Sequence, residues 1–293
     1  MSDEAALVFD PRAVLLHRRR AAPGLAAHDF LFREAADRLA DRLDDIRRTF
    51  PVAAEIGSRG AVLRPGLKGV ERLVRLDRLP AGSDAAFDGE ALPLAHDGFD
   101  LVLSCLDLHW TNDLPGLLVQ ANAALKPDGL FLASLLGGGT LAELRECLLA
   151  AELEVQGGAG PRVSPFVDLR DAAGLLQRAG FALPVADAET ITVTYPDMFA
   201  LMRDLRGMGE ANAVRLRRRT FTRRGTLFRA AQLYAERFGA PEGRIRATFE
   251  IVTLTGWRPA ANQQKPLRRG SAQTRLADAL GSVEHPAGDK TRG

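Results

Sequence analysis

Two cysteines, two tryptophans and two tyrosines are all that 293 residues contain. Cys105 and Cys147 fall in a predicted strand and a predicted helix, so no disulfide framework is expected, and a reducing, cytoplasmic setting is. An excess of charge is equally lacking. Thirty-nine Lys and Arg against 37 Asp and Glu leave +2, which gives no global argument for a nucleic-acid or membrane-surface partner. No apolar run approaches the ~20 residues of a membrane span. The start carries Asp3 and Glu4 without an apolar core, so no secretory signal is expected. There is no internal repeat, and no metal is expected. Hydrophobic residues, at 46 %, are present in ordinary amount. That suffices for a large core, and the length suits one enlarged domain or one domain plus a cover.

The clearest local pattern is Gly98-Phe99-Asp100-Leu101-Val102-Leu103-Ser104-Cys105, a short apolar run that reads as a buried strand. Leu108-His109-Trp110 follows. Asp113 to Leu125 carries Leu114, Leu117, Leu118, Ala121 and Leu125 at helical spacing. Lys126-Pro127-Asp128-Gly129 ends that helix and turns into a second apolar strand, Leu130 to Ser134. Strand, helix, strand in this order predicts a right-handed crossover between parallel strands.

Around it, His17-Arg18-Arg19-Arg20 and Pro23-Gly24 mark residues 1–27 as an exposed, partly ordered arm. His28 to Arg48 is an amphipathic helix. Val52 to Ile56 and Leu73 to Leu76 are strands, the second ending at Asp77, and a short third is expected near Ala86. Gly137-Gly138-Gly139 reads as a flexible loop. Thr140 is placed to cap a helix to about Val155, with Glu143 completing a capping box. Gln156 to Pro165 is rich in Gly and Pro and reads as mobile. Asp168 to Ala179 is a helix stopped by Gly180. Ile191 to Tyr195 and Ala247 to Gly256 are closing strands, split by the helical stretches Asp197–Gly209 and Thr226–Phe238. That split predicts a helical cover over the sheet. Residues 201–246 hold twelve Arg against four acids. Ser271 is placed to cap a short helix to Leu280, and residues 281–293 read as disordered.

Glu55-Ile56-Gly57, the crossover block and Leu125–Ser134 together resemble class I S-adenosylmethionine-dependent methyltransferases. The resemblance implies an α/β, Rossmann-like fold. Its seven-stranded, mostly parallel sheet carries helices on both faces and a helical cover, about 197–240, inserted between the last two strands. It places the methyltransferase-like domain at 28–257, between the arm and a polar tail over 258–293. It implies S-adenosylmethionine as cofactor. Glu55 would lie near the cofactor's amino acid end, with Gly57 and Gly60 admitting the ligand to the backbone. Cys105 would end the fourth strand beside the cofactor. Asp88, before a Leu-Pro pair, would meet the adenine amine, and Leu92 would pack near the base. Asp77 ends the second strand twenty residues after Gly57, where a carboxylate can accept both ribose hydroxyls. The plainer alternatives are a solvated acid between Arg75 and Arg78 and, for Asp88, a turn acid before Gly89.

The usual loop of that family is acid-x-Gly-x-Gly-x-Gly. Here Arg59 stands where the second Gly belongs and Ala61 where the third would be. Arg59 would fill the methionine pocket, point to solvent or pair with the cofactor carboxylate. His109 is the one candidate catalytic base, since its pKa lies near neutrality. The alternative is that Trp110 plugs the crevice and His109 is a satisfied edge residue. Tyr195 and Tyr234 serve either the cover's substrate side or the core.

Longer segments narrow the resemblance. His28–Glu34, Asp107–Gly116, Asp204–Asn212, Phe249–Trp257 and Gln264–Ala272 are similar to bacterial relatives of the mitochondrial complex I assembly factor with a methyltransferase fold, whose mitochondrial member hydroxylates arginine. More distantly the chain resembles the malonyl-carrier-protein methyltransferase of biotin synthesis. Three functions are implied: a methyltransferase-family protein acting on a protein, a non-catalytic assembly protein with a degenerate loop, and a protein arginine hydroxylase. The Arg215–Arg224 region is the candidate surface for a protein substrate or acidic partner.

Overall fold

The computed structural model describes residues 7–59, 63, 67–261, 263 and 281. Gly60, Ala61, the Gln264–Ala272 segment and the Ser271–Leu280 helix lie outside the described residues. The chain divides into a compact unit, Met1–Pro259, and a second, Ala260–Gly293.

The compact unit is built on one sheet. Its strands are β1 (Val52–Ile56), β2 (Arg72–Asp77), β3 (Ala85–Ala86), β4 (Phe99–Cys105), β5 (Leu125–Leu136), β6 (Ala182–Tyr195) and β7 (Ile245–Trp257). They are ordered β3-β2-β1-β4-β5-β7-β6. All pairings among β1 to β5 are parallel, and β7 is antiparallel to both β5 and β6. The order reverses between β1 and β4. In open α/β sheets that reversal opens a crevice at the carboxyl ends of the strands.

Helices α1 (Pro11–Ala21), α2 (Phe30–Asp44), α3 (Leu114–Ala124), α4 (Ala142–Gln156), α5 (Leu169–Arg178), α6 (Met198–Gly207) and α7 (Arg224–Phe238) surround the sheet. On one face Phe32, Leu39, Leu144, Leu201 and Tyr234 join the core. On the other, Leu117, Leu118, Ala172 and Leu176 pack against Ile56, Val102 and Phe131. Helices α6 and α7 lie between β6 and β7 in sequence, as the split of the closing strands predicted. Among the described residues no helix is long and apolar enough to cross a membrane.

Three expectations give way. The described part of the expected arm, 7–27, is not an exposed tail: α1 and the 3-10 turn Ala22–Ala27 fold onto the domain. Ala13 and Val14 pack with Phe9, Trp110, Ala213 and Val214 in a small core of their own. The capping box at Thr140 does not form. Thr140 exchanges hydrogen bonds with the Glu250 backbone, and Glu143 accepts from Thr248, so β7 claims both side chains and α4 starts after Leu141 without a side-chain cap. The glycine loop 137–139 is tied down, with its N–H groups donating to the Glu250 carbonyl, the Val167 carbonyl and the Glu250 carboxylate.

Candidate functional site

Beyond β1 the chain turns at Gly57, whose φ is +77°. A Cβ there would stand 2.2 Å from the Asp107 Cγ, so glycine is what lets the loop after β4 close against the loop after β1. Asp77 closes β2. One of its carboxylate oxygens accepts from the Arg59 N–H at 2.7 Å, the other from the Leu79 N–H at 2.8 Å. Arg18 reaches down from α1 and bridges Asp77, at 3.4 Å, and Asp107. All three side chains are buried. A cavity of about 220 Å³ opens here, lined among others by Arg18, Leu25, Arg59, Asp77, Leu79 and Met208.

Arg59 does not point to solvent. It is 8 % exposed, and its guanidinium stacks on the Phe32 ring at 4.5 Å and donates to the Met208 carbonyl at 3.2 Å. Its Nη2 lies 2.6 Å from Glu210 Oε1. The other Glu210 oxygen accepts from Trp110 Nε1 at 2.9 Å and meets His109 Nε2 at 3.0 Å. Burial pushes the Glu210 carboxyl up, but Arg59 and then His109 outweigh it and bring it down to about 2. Glu210 lines a second cavity, of about 350 Å³, with Trp110, Phe166, Met202 and Arg162 among its walls. Met208 lines both cavities.

The remaining candidates divide. Glu55 is buried at the end of β1. Burial outweighs the Arg75 guanidinium 3.4 Å away and raises its carboxyl to about 8, so it is protonated at neutral pH. Cys105 is buried beneath α2 with its thiol 3.5 Å from the Phe32 carbonyl, and burial drives it to about 12, a thiol without nucleophilic character. Asp88 uses one carboxylate oxygen to hold a turn, accepting from the Glu90 and Ala91 N–H groups. Its carbonyl accepts from Arg78, which passes so close to Gly89 (φ +98°) that a Cβ there would overlap the guanidinium. Leu92 is partly buried, and its N–H donates to Gln120. None of Glu55, Asp88, Leu92 and Cys105 lines either cavity.

His109 is fully enclosed, and burial lowers its pKa despite Glu210. It lines neither cavity; its Nε2 meets Glu210, and its buried Nδ1 has no partner among the described residues. Trp110 packs edge-on against Phe9 and lines the larger cavity. Tyr195 donates to Asp204 and Tyr234 to the Arg246 carbonyl, both in the core. The Gly/Pro stretch after α4 is anchored by buried Glu152, which accepts from the Gly160 N–H and from Arg162. Three residues of the site carried no role in the sequence reading: Arg18, Asp107 and Glu210. The one available signal was that the last two belong to the Asp107–Gly116 and Asp204–Asn212 segments.

These residues fit an S-adenosylmethionine pocket. Buried Ser58 Oγ, Arg18 Nε, Arg59 Nε and Asp107 Oδ2 have no hydrogen-bond partner among the described residues, and buried polar groups left so are costly. A ligand with hydroxyl, ammonium and carboxylate groups at the ends of β1, β2 and β4 answers that deficit. The cavity is below the roughly 300–1,000 Å³ of ordinary ligand sites, and Arg18 and Arg59 are among its walls.

A methyltransferase domain model matches residues 71–133. The chain is 42 % identical over 265 residues to "Arginine-hydroxylase NDUFAF5, mitochondrial" of Danio rerio, covering 86 % of this chain and 82 % of that protein. It is 34 % identical over 279 residues to the malonyl-[acyl-carrier protein] O-methyltransferase of Laribacter hongkongensis, covering 92 % and 91 %. The YcgJ protein of Bacillus subtilis shares the fold, with a TM-score of 0.50 at 12 % identity over 78 % of this chain and 99 % of that one. With strand order, glycine turn and acid-ended strands in agreement, the chain belongs to the class I S-adenosylmethionine-dependent methyltransferase superfamily, in the family of the NDUFAF5 proteins.

Proposed function

We propose that the protein binds S-adenosylmethionine at the ends of β1, β2 and β4 and modifies a cationic side chain of a protein substrate in the cavity under the cover. The observation that carries this reading is the pair of adjoining cavities, the smaller lined by Asp77 and Arg59, the larger reaching Glu210. When bound, S-adenosylmethionine supplies a methyl group activated by the sulfonium sulfur. Asp77 would hold the ribose, exchanging the long Arg18 contact for hydroxyl donors. Asp107, beside Gly57, would hold the ammonium. Glu210 is ionised at neutral pH and held by His109 and Trp110, and a buried carboxylate so fixed selects a guanidinium or ammonium group. Methyl transfer forms an N–C bond as the sulfonium C–S bond breaks, with the proton of the attacking nitrogen leaving to water, and proximity and orientation supply much of the rate.

The name of the NDUFAF5 relatives favours a second reading, hydroxylation of a substrate arginine. One experiment separates the two. The protein is incubated in air, with and without an added reductant, with arginine- and lysine-containing peptides and methyl-labelled S-adenosylmethionine, and the products are weighed by mass spectrometry. Label in the peptide supports methyl transfer. An added oxygen without label supports the second reading, and an unmodified peptide set supports a binding protein.

A further inference from the structure

Arg59 stands on the line between the two cavities, and its bonding there is incomplete. Its Nη2 is 2.6 Å from Glu210, yet neither Nη2 nor Glu210 Oε1 makes a directional hydrogen bond, and Nε has no partner among the described residues. Its backbone is held in the left-handed region at φ +41°, and its N–H is tied to Asp77. The loop is therefore fixed, while the guanidinium is held by one hydrogen bond to the Met208 carbonyl, by charge and by the Phe32 face.

We propose that Arg59 is the anchor for the cofactor's carboxylate and that Glu210 is its stand-in counter-ion. This deepens the reading above and rests on it. Without ligand, the Arg59 guanidinium pairs with Glu210 while its backbone N–H donates to Asp77. A carboxylate entering at the amino acid end, on the Arg59 side of the ammonium that Asp107 would hold, offers the planar fork a bidentate partner, which a guanidinium prefers to a misaligned one. Arg59 then turns toward the cofactor. Glu210, kept in place by His109 and Trp110, is left with a buried charge facing the larger cavity, and a buried carboxylate without its counter-ion demands a new cation. Cofactor binding thus prepares the substrate side, and the order is cofactor first, cationic substrate second.

Two ligands isolate the carboxylate. S-adenosylhomocysteine carries it, and methylthioadenosine shares the nucleoside and sulfur but lacks the amino acid end. Calorimetry is run with both on the wild-type chain, Arg59→Met and Glu210→Gln. Arg59→Met is expected to weaken S-adenosylhomocysteine about tenfold or more, roughly 1.4 kcal/mol, and to leave methylthioadenosine unchanged. Retained methylthioadenosine binding also shows that the variant is folded. Glu210→Gln strips Arg59 of its counter-ion while keeping an acceptor for Trp110, and is expected to tighten S-adenosylhomocysteine about fivefold without affecting methylthioadenosine. Opposite signs for the two variants, confined to one ligand, support the switch. If Arg59→Met tightens S-adenosylhomocysteine, or both ligands shift together, Arg59 is an occluding side chain and the switch is wrong. If the wild-type chain binds neither ligand, the cofactor site itself falls and the switch with it.

Discussion

Arg59 Nη2 lies 2.6 Å from Glu210 Oε1, a contact between a wall of the cavity at the strand ends and a wall of the cavity beneath the cover. The two residues come from the loop after β1 and the loop after α6, so the sheet and its cover meet through a buried charge pair.

That pair makes part of the stability acid-sensitive. The Glu210 carboxyl falls from 4.5 to about 2 on folding, so its contribution is present above 4.5 and is lost as pH falls toward 2. Thermal melting of Glu210→Gln should therefore lose less of its midpoint between pH 5 and about pH 3 than the wild-type chain does. Parallel decline of the two would show that Glu210 is not held low.

Glu55 works in the opposite sense. Its carboxyl rises from 4.5 to about 8, so the folded chain holds a proton that the unfolded chain releases, and stability falls as pH rises from 4.5 through 8. Glu55→Gln keeps the shape and removes the titration. Its melting midpoint should exceed that of the wild-type chain by several degrees near pH 9, given roughly 2–4 °C per kcal/mol for a chain of this class. Near pH 5 the two should coincide. A gap that does not grow with pH would refute the assignment.

Gly57→Ala should cost about 2 kcal/mol or more, because the new Cβ meets both the positive φ and the Asp107 side chain. The loss should appear in denaturant melts and in S-adenosylhomocysteine affinity together. A variant of normal stability would mean that the Gly57–Asp107 approach is wrong.

The basic insert is less free than its composition implies. Arg217 and Arg219 pair with Asp10, the residue that caps α1, and Arg229 and Arg237 pair with Glu154 and Glu146 on α4. Replacing Arg217 therefore reaches α1, and through it Arg18 on Asp77. Arg223 and Arg224, both exposed, give the cleaner test of an acidic protein partner. Arg223→Ala with Arg224→Ala should slow association with a substrate protein, most at low salt, and leave S-adenosylhomocysteine binding unchanged. An association rate indifferent to both salt and substitution would leave these arginines a solvated face.

The crossover from β4 through α3 to β5 was legible because its signals are local, an apolar run and leucines at helical spacing, whereas the Lys126–Gly129 turn expected before the next strand is absorbed into β5 as an irregularity in its pairing with β4. Asp77 and Gly57 were legible for the same reason, as the last residues before turns. Arg18 was not. In the sequence it sits in a run of three arginines, and what buries it are Asp77 and Asp107, 59 and 89 residues away. Glu210 was hidden likewise, since His109 and Trp110 lie 101 and 100 residues from it. Thr140 and Glu143 show the converse. Their spacing satisfies a local rule, but a strand more than a hundred residues later competes for both side chains and wins.

The account stands on the strand ends being a cofactor site, and titration calorimetry of S-adenosylhomocysteine into the wild-type chain and Asp77→Ala tests it most directly. The account predicts saturable binding to the wild-type chain, weakened about tenfold or more, roughly 1.4 kcal/mol, by Asp77→Ala. Absence of binding to the wild-type chain at millimolar ligand, or equal binding by the two proteins, would contradict it.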